Sequence, residues 1–236
     1  PLSLDIEETI MGPLLGPADT KKIWLVRRGA GWAVSAKPSA SLKGPHRNGT
    51  FKDAFKNDVL LVYGTKGSEE ENAWARSRAR FDAETFWYRG NGSIDVVADV
   101  DFDAAAQPNR NVILYGNAET NGAWPAMLST SPIQVRRGIA QLGARAERGE
   151  DVGILMIRPR PGSVTASVAV VGGTGMEGMR ATDRIPYFIS GVAFPDLYVI
   201  GAEATTKGAK GIRALGDFGQ DWGFDSGEIV WRDLAL

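Results

Sequence analysis

Three segments share one design: an apolar run, then glycine, then small polar residues. They are Tyr63-Gly64-Thr65-Lys66-Gly67-Ser68, Tyr115-Gly116-Asn117-Ala118-Glu119-Thr120 and Val171-Gly172-Gly173-Thr174-Gly175. In an open α/β sheet, ligands bind outside the carboxyl ends of the strands. Loops of this kind can therefore form a rim of backbone N–H, hydroxyl and amide groups. The candidate ligand-binding residues are Thr65, Lys66, Asn117, Thr120 and Thr174. A plainer reading stands beside this one: glycine simply permits a tight strand-to-helix turn.

Gly173-Thr174-Gly175-Met176-Glu177-Gly178 matches the dinucleotide fingerprint G-x-G-x-x-G. Charge argues against that use. A pyrophosphate docks at a helix start because that end is positive and offers free N–H groups. Here Glu177 occupies that place, Glu69 to Glu71 follow Ser68, and Glu119 follows Gly116. Each glycine loop supplies its own anion, so nucleotide binding is disfavoured and no cofactor is expected.

Nucleophilic catalysis lacks its parts. An α/β-hydrolase elbow reads G-x-S-x-G, and none occurs. Ser68 is better explained as a helix cap, and Ser190 lacks the preceding glycine. The one histidine, His46, sits in a Pro/Gly turn, where a surface or linker role is the plainer reading. No catalytic residue is assigned. A single histidine and no cysteine also make a zinc site improbable. Asp99, Asp101 and Asp103 alternate, so an extended chain would place them on one face, where oxygen ligands can hold calcium or magnesium. The competing reading is a solvated loop, and no metal ligand is assigned.

The elements that would position these residues follow from pattern. Lys22–Arg28 and Trp32–Ser35 flank Gly29-Ala30-Gly31 and predict a β-hairpin, followed by a Pro/Ser/Gly/Lys-rich linker through Thr50. Residues 1–50 thus form a hairpin and linker, compatible with the tail of a preceding β domain, and 51–236 form the main domain. The apolar run Val59–Tyr63 predicts a buried strand. Ser68-x-x-Glu71 predicts a capping box that opens a helix to about Tyr88, with Trp74, Phe81 and Tyr88 as packing anchors. Further strands are expected at Ile94–Ala98, Val112–Tyr115, Ile133–Val135, Gly153–Ile157, Ser167–Val171 and Leu197–Ile200. Strands alternating with helices predict an α/β fold. The expected class is a doubly wound, flavodoxin-like, mostly parallel sheet with helices on both faces, preceded by a short β-hairpin segment.

The chain has 236 residues, 27 basic and 28 acidic, for a net charge of −1. That balance gives none of the basic excess favoured by nucleic-acid partners. No apolar run approaches the roughly 20 residues of a membrane span. The start at Pro1-Leu2-Ser3, with no initiator methionine, reads as a processed or excised piece of something longer.

Several longer runs carry a resemblance. Gly44-Pro45-His46-Arg47-Asn48-Gly49-Thr50-Phe51-Lys52-Asp53-Ala54-Phe55, Val62-Tyr63-Gly64-Thr65, Phe81-Asp82-Ala83-Glu84-Thr85-Phe86-Trp87-Tyr88-Arg89-Gly90-Asn91-Gly92 and Arg110-Asn111-Val112-Ile113-Leu114-Tyr115-Gly116-Asn117 belong to it, with Ile157-Arg158-Pro159-Arg160 and Ser190-Gly191-Val192-Ala193-Phe194-Pro195-Asp196. Together they resemble the C-terminal region of exported bacterial proteins classed with the prolyl oligopeptidase-like α/β-hydrolases. The resemblance implies a serine nucleophile in an upstream α/β-hydrolase module, hydrolysis of esters or peptides by the parent protein, and an extracytoplasmic location. It places no catalytic residue here. The expected function is an accessory C-terminal domain of such a hydrolase, partnered by that module or by another subunit. The alternative is a stand-alone binding module for a sugar or peptide end.

Overall fold

The computed structural model describes residues 2–6, 9–14 and 22–232. The chain divides into two compact units, Pro1–Leu42 and Lys43–Leu236. The first contains β1 (Leu2–Ile6) paired antiparallel with β2 (Thr9–Leu14), and β3 (Trp24–Arg28) paired antiparallel with β4 (Gly31–Ser35). The Pro1 start and residues 233–236 of the main domain lie outside the described residues.

The second unit is built on β5 (Val59–Tyr63), β6 (Asp95–Ala98), β7 (Asn111–Tyr115), β8 (Ile133–Arg136), β9 (Ile139–Leu142), β10 (Arg145–Arg148), β11 (Val152–Pro159), β12 (Ser167–Gly173), β13 (Leu197–Gly201), β14 (Ile212–Asp217) and β15 (Glu228–Trp231). One long helix, α1 (Glu69–Gly90), is joined by three short ones: α2 (Trp124–Leu128), α3 (Met176–Ala181) and α4 (Ala204–Lys207). Eight strands form one sheet in the order β15-β14-β13-β11-β12-β7-β5-β6, and β8 to β10 form a separate meander.

This arrangement overturns the doubly wound, flavodoxin-like expectation. β6, β5, β7 and β12 run parallel to one another, whereas β11, β13, β14 and β15 join antiparallel, β11 pairing with β12. The fold is rich in strands, and helices do not cover both faces as expected. Connection length is one physical cause. A parallel return needs a crossover of a dozen or more residues, and the short turn from Arg160 to Ala166 between β11 and β12 cannot supply one. β12 must therefore fold back beside β11.

The core is apolar where the sheet is covered: Leu61, Ile113, Leu114, Ile154, Leu155, Val170 and Val199 are fully buried. Asn111 fastens the amino ends of the parallel strands. Its amide donates to Asp53 O and Lys56 O, and its Oδ1 accepts from Ser167 N–H.

α1 does not present the expected face. Glu71, Ala75, Arg78, Ala79 and Asp82 are buried, whereas Phe81 and Tyr88, expected as anchors, are 57% and 83% exposed. A polar cluster takes the place of Phe81 and Tyr88, while Trp74, the third expected anchor, packs against the core with Phe86. Tyr115 OH donates to Asp82 Oδ2 at 2.7 Å, and Tyr187 OH donates to the same oxygen. Arg78 Nη2 donates to Tyr187 OH at 2.7 Å, and its Nε lies 3.3 Å from Asp82 Oδ1. Burial raises the Asp82 carboxyl above its ordinary value, against the pull of Arg78 and both hydroxyls. A buried charge is tolerable only when paired and hydrogen-bonded, so α1 is positioned by this cluster.

Tyr187→Phe removes one hydroxyl from the cluster and should lower stability by about 1–3 kcal/mol. Urea unfolding measures it; an unchanged midpoint would show that the hydroxyl does not hold α1.

Candidate functional site

The parallel strands β5, β7 and β12 end on one edge of the sheet, which brings the three glycine-rich loops together as expected. Gly64 N–H donates to Tyr115 O and Gly116 N–H to Val171 O, both at 3.1 Å, so the loops begin already joined. Gly172 is required by close approach: a Cβ built there would lie 1.8 Å from Gly116 O. The G-x-G-x-x-G glycines have a similar reason. Cβ atoms on Gly173 and Gly178 would meet backbone at 2.6 Å and 2.3 Å, so both serve packing between α3 and the strands.

The polar side chains of this edge turn inward. Asn117 is fully buried: its amide donates to Gly173 O at 2.9 Å, and its Oδ1 accepts from Glu119 N–H and Thr120 N–H. Thr120 is buried and its hydroxyl oxygen accepts from Asn117 N–H at 2.8 Å. Thr174 is buried, donates to Gly149 O at 2.6 Å and accepts from Val152 N–H. Thr65 is half-buried and donates to Asp99 Oδ1 at 2.5 Å; Gly122 N–H donates to the other Asp99 oxygen. Lys66 is exposed beside Gly122, where a built Cβ would lie 3.0 Å from its Nζ. Of the five candidates, only Lys66 offers its polar head to solvent unspent.

Two residues that sequence reasoning missed complete the arrangement. Asn121 Nδ2 donates to Val62 O at 2.9 Å and Tyr115 O at 3.0 Å, while its Oδ1 accepts from Ala123 N–H. One buried amide thus ties β5 to β7. Arg137, in the β8–β9 turn, ties the meander to the loops. Its guanidinium donates to Glu71 Oε2 at 2.5 Å, and its own N–H donates to Glu119 Oε2 at 2.6 Å. Gly138 N–H then reaches Thr174 O.

The expected acids are therefore present, with altered partners. Glu71 completes the capping box with Ser68, as the spacing implied. Glu119 caps no helix and serves the Arg137 turn instead. Burial pushes Glu71 upward, but Arg137 and the Ser68 N–H outweigh it, so its carboxyl lies below the ordinary value.

The remaining candidates lie elsewhere. His46 folds back over Gly44, next to Arg47, which donates to Ser163 O and Ala166 O just before β12 begins. That is the opposite end of β12, roughly 20 Å from Thr174 at strand rise. Asp99 faces Thr65, Asp103 accepts from Ala105 N–H, and Asp101 is exposed, so the three carboxylates do not converge. Among the described residues, no group of three or more metal-ligating side chains is placed to hold an ion. No described helix is long and apolar enough to cross a membrane.

No family model matches the chain, and no curated protein matches it.

Asn121→Ala removes three side-chain hydrogen bonds at once, to Val62 O, Tyr115 O and Ala123 N–H, and should cost about 3 kcal/mol in urea unfolding; a loss under half of that would remove it as the clamp. Glu71 gives a pH signature. Its depressed carboxyl contributes stability above the unfolded carboxylate range, and that stability is lost as pH falls through the folded value. Glu71→Gln should therefore flatten the acid side of the melting temperature against pH, and an unchanged profile would contradict the Arg137 link.

Proposed function

We propose that this chain is the accessory C-terminal domain of a prolyl oligopeptidase-like serine hydrolase, a peptidase or esterase whose nucleophilic serine lies outside these residues. The exposed aromatic surface of α1 carries the reading. Phe81, Trp87 and Tyr88 are 57%, 65% and 83% exposed, and Trp74 and Phe81 border a surface hollow with Ser77, Arg78 and Asp183. Phe81 and Tyr88 lie two turns apart on one side of α1, and exposed aromatic side chains of this kind are enriched where protein partners dock. The long run Phe81–Tyr88 is also among the segments that carry the resemblance to the hydrolase group.

The partner is the catalytic module of such a hydrolase, in the same chain or in another subunit, at an extracytoplasmic location implied by the resemblance. The domain's task is to shape substrate access or assembly. A polar-ligand module at the strand edge is the weaker reading, because Asn117, Thr120 and Thr174 have spent their polar groups on backbone.

A fluorophosphonate that labels active serines should leave this chain unmodified and label a hydrolase module of that group mixed with it. Phe81→Ser combined with Tyr88→Ser should weaken the association of the two on the order of tenfold, since buried aromatic anchors dominate interfaces. Labelling of any serine within residues 1–236 would overturn the proposal, as would association that ignores both substitutions.

A further inference from the structure

β6 closes one end of the eight-stranded sheet, and among the described residues no strand pairs with its outer edge. Its backbone direction follows from one bond. Asp99 N–H donates to Tyr63 O, so the odd-numbered residues of this strand aim their backbone groups at β5. The N–H and C=O of Val96 therefore point off the sheet. Ala98 O accepts from Asp101 N–H, whereas no described residue bonds Val96 on that side.

A groove runs along each face of this edge. Register pairs Leu60 with Asp95 and Val62 with Val97, which defines one face. On it lies a groove of about 330 Å³ whose walls include Leu60, Val97, Phe102, Asp101 and Asp103. The other face holds a groove of about 450 Å³ between the sheet and α1, with Tyr63, Val96, Ala83, Arg76 and Arg80 among its walls. Arg76, Arg80 and Glu84 follow helical spacing, so one stripe of α1 forms that wall.

The charges left over after internal pairing differ in sign. In the first groove, Arg110 is engaged by Asp95 and Asp58, and Arg160 is spent on the carbonyls of Ala104, Gln107 and Arg110. Among the described residues, Asp101 and Asp103 have no cation within pairing distance. In the second, Arg80 pairs with Glu84, and among the described residues Arg76 has no acid within pairing distance.

We propose that the β6 edge binds an extended peptide as an added strand, with a basic side chain in the Asp101/Asp103 groove and an acidic one, at the next position, in the Arg76 groove. Successive side chains of a strand point to opposite faces, which is what two grooves of opposite charge on one edge select. Main-chain bonds to Val96 supply affinity and the grooves supply specificity, the pattern of β-augmentation. Long side chains lay their aliphatic stems on Leu60, Val97 and Val96 and keep their heads at the charged walls. A second copy of this chain fits poorly. Antiparallel pairing of two β6 edges sets like faces side by side, so each groove is continued by one of the same charge and neither is complemented.

Fluorescence anisotropy with a labelled Lys-Glu-Lys-Glu-Lys-Glu peptide and its block isomer Lys-Lys-Lys-Glu-Glu-Glu tests this. The alternating peptide should bind on the order of tenfold tighter, because only it presents both charges in phase with the strand. Arg76→Glu should erase the difference, and Val96→Pro should abolish binding. N-methylation of alternate peptide amides should do the same with the unaltered protein, which keeps the test independent of how Val96→Pro folds. Equal affinity for the two isomers would overturn the proposal, as would full binding of both N-methylated phases. A dimer in sedimentation that Val96→Pro dissolves would assign the edge to a second copy and overturn it equally.

Discussion

The inward turn of Asn117, Thr120 and Asn121 governs this domain. Strands that end in glycine leave carbonyl and N–H groups at their tips, and a buried polar group without a partner is costly. The two asparagines and the threonine answer that demand within one turn: Asn121 takes the carbonyls at the ends of β5 and β7, and Asn117 takes the carbonyl of β12. Because these amides are spent on strand ends, they are withdrawn from solvent. The edge that topology usually leaves open for ligands is here a structural seam.

The meander extends that seam. Arg137 holds the first turn of α1 through Glu71 and the turn after β7 through Glu119, while Gly138 reaches the end of β12. Three loops that a ligand might have bridged are bridged by one hairpin turn of the chain itself. The outward-facing features then move elsewhere, to the aromatics of α1 and the free edge of β6. Both lie on the β6 side of the sheet, because α1 packs on β5, β6 and β7.

Local signals were legible in the sequence, and long-range ones were not. The capping box at Ser68 and Glu71 depends on residues three apart, and the runs at Val59–Tyr63 and Val112–Tyr115 on continuous apolar character; both could be read directly. Strand direction could not, because it depends on which neighbour a short connection allows. The meander was only partly visible, as Gln134, Gln141, Arg145 and Arg148 break the apolar pattern of β8 to β10. On α1 the pattern misled. Arg78 and Asp82 are buried through Tyr115 and Tyr187, partners distant in sequence, so the helix turns charged residues inward and leaves Phe81 and Tyr88 in water. Asn121 carried no signal at all, since one of its carbonyl partners lies 59 residues away.

Amide hydrogen exchange in the unliganded protein tests the sealed edge most directly. If the loops close on themselves, the amides of Lys66, Glu119 and Thr120 are protected to the degree of those in β7. Exchange as fast as that of the exposed segment 105–109 would show an open rim and contradict this account.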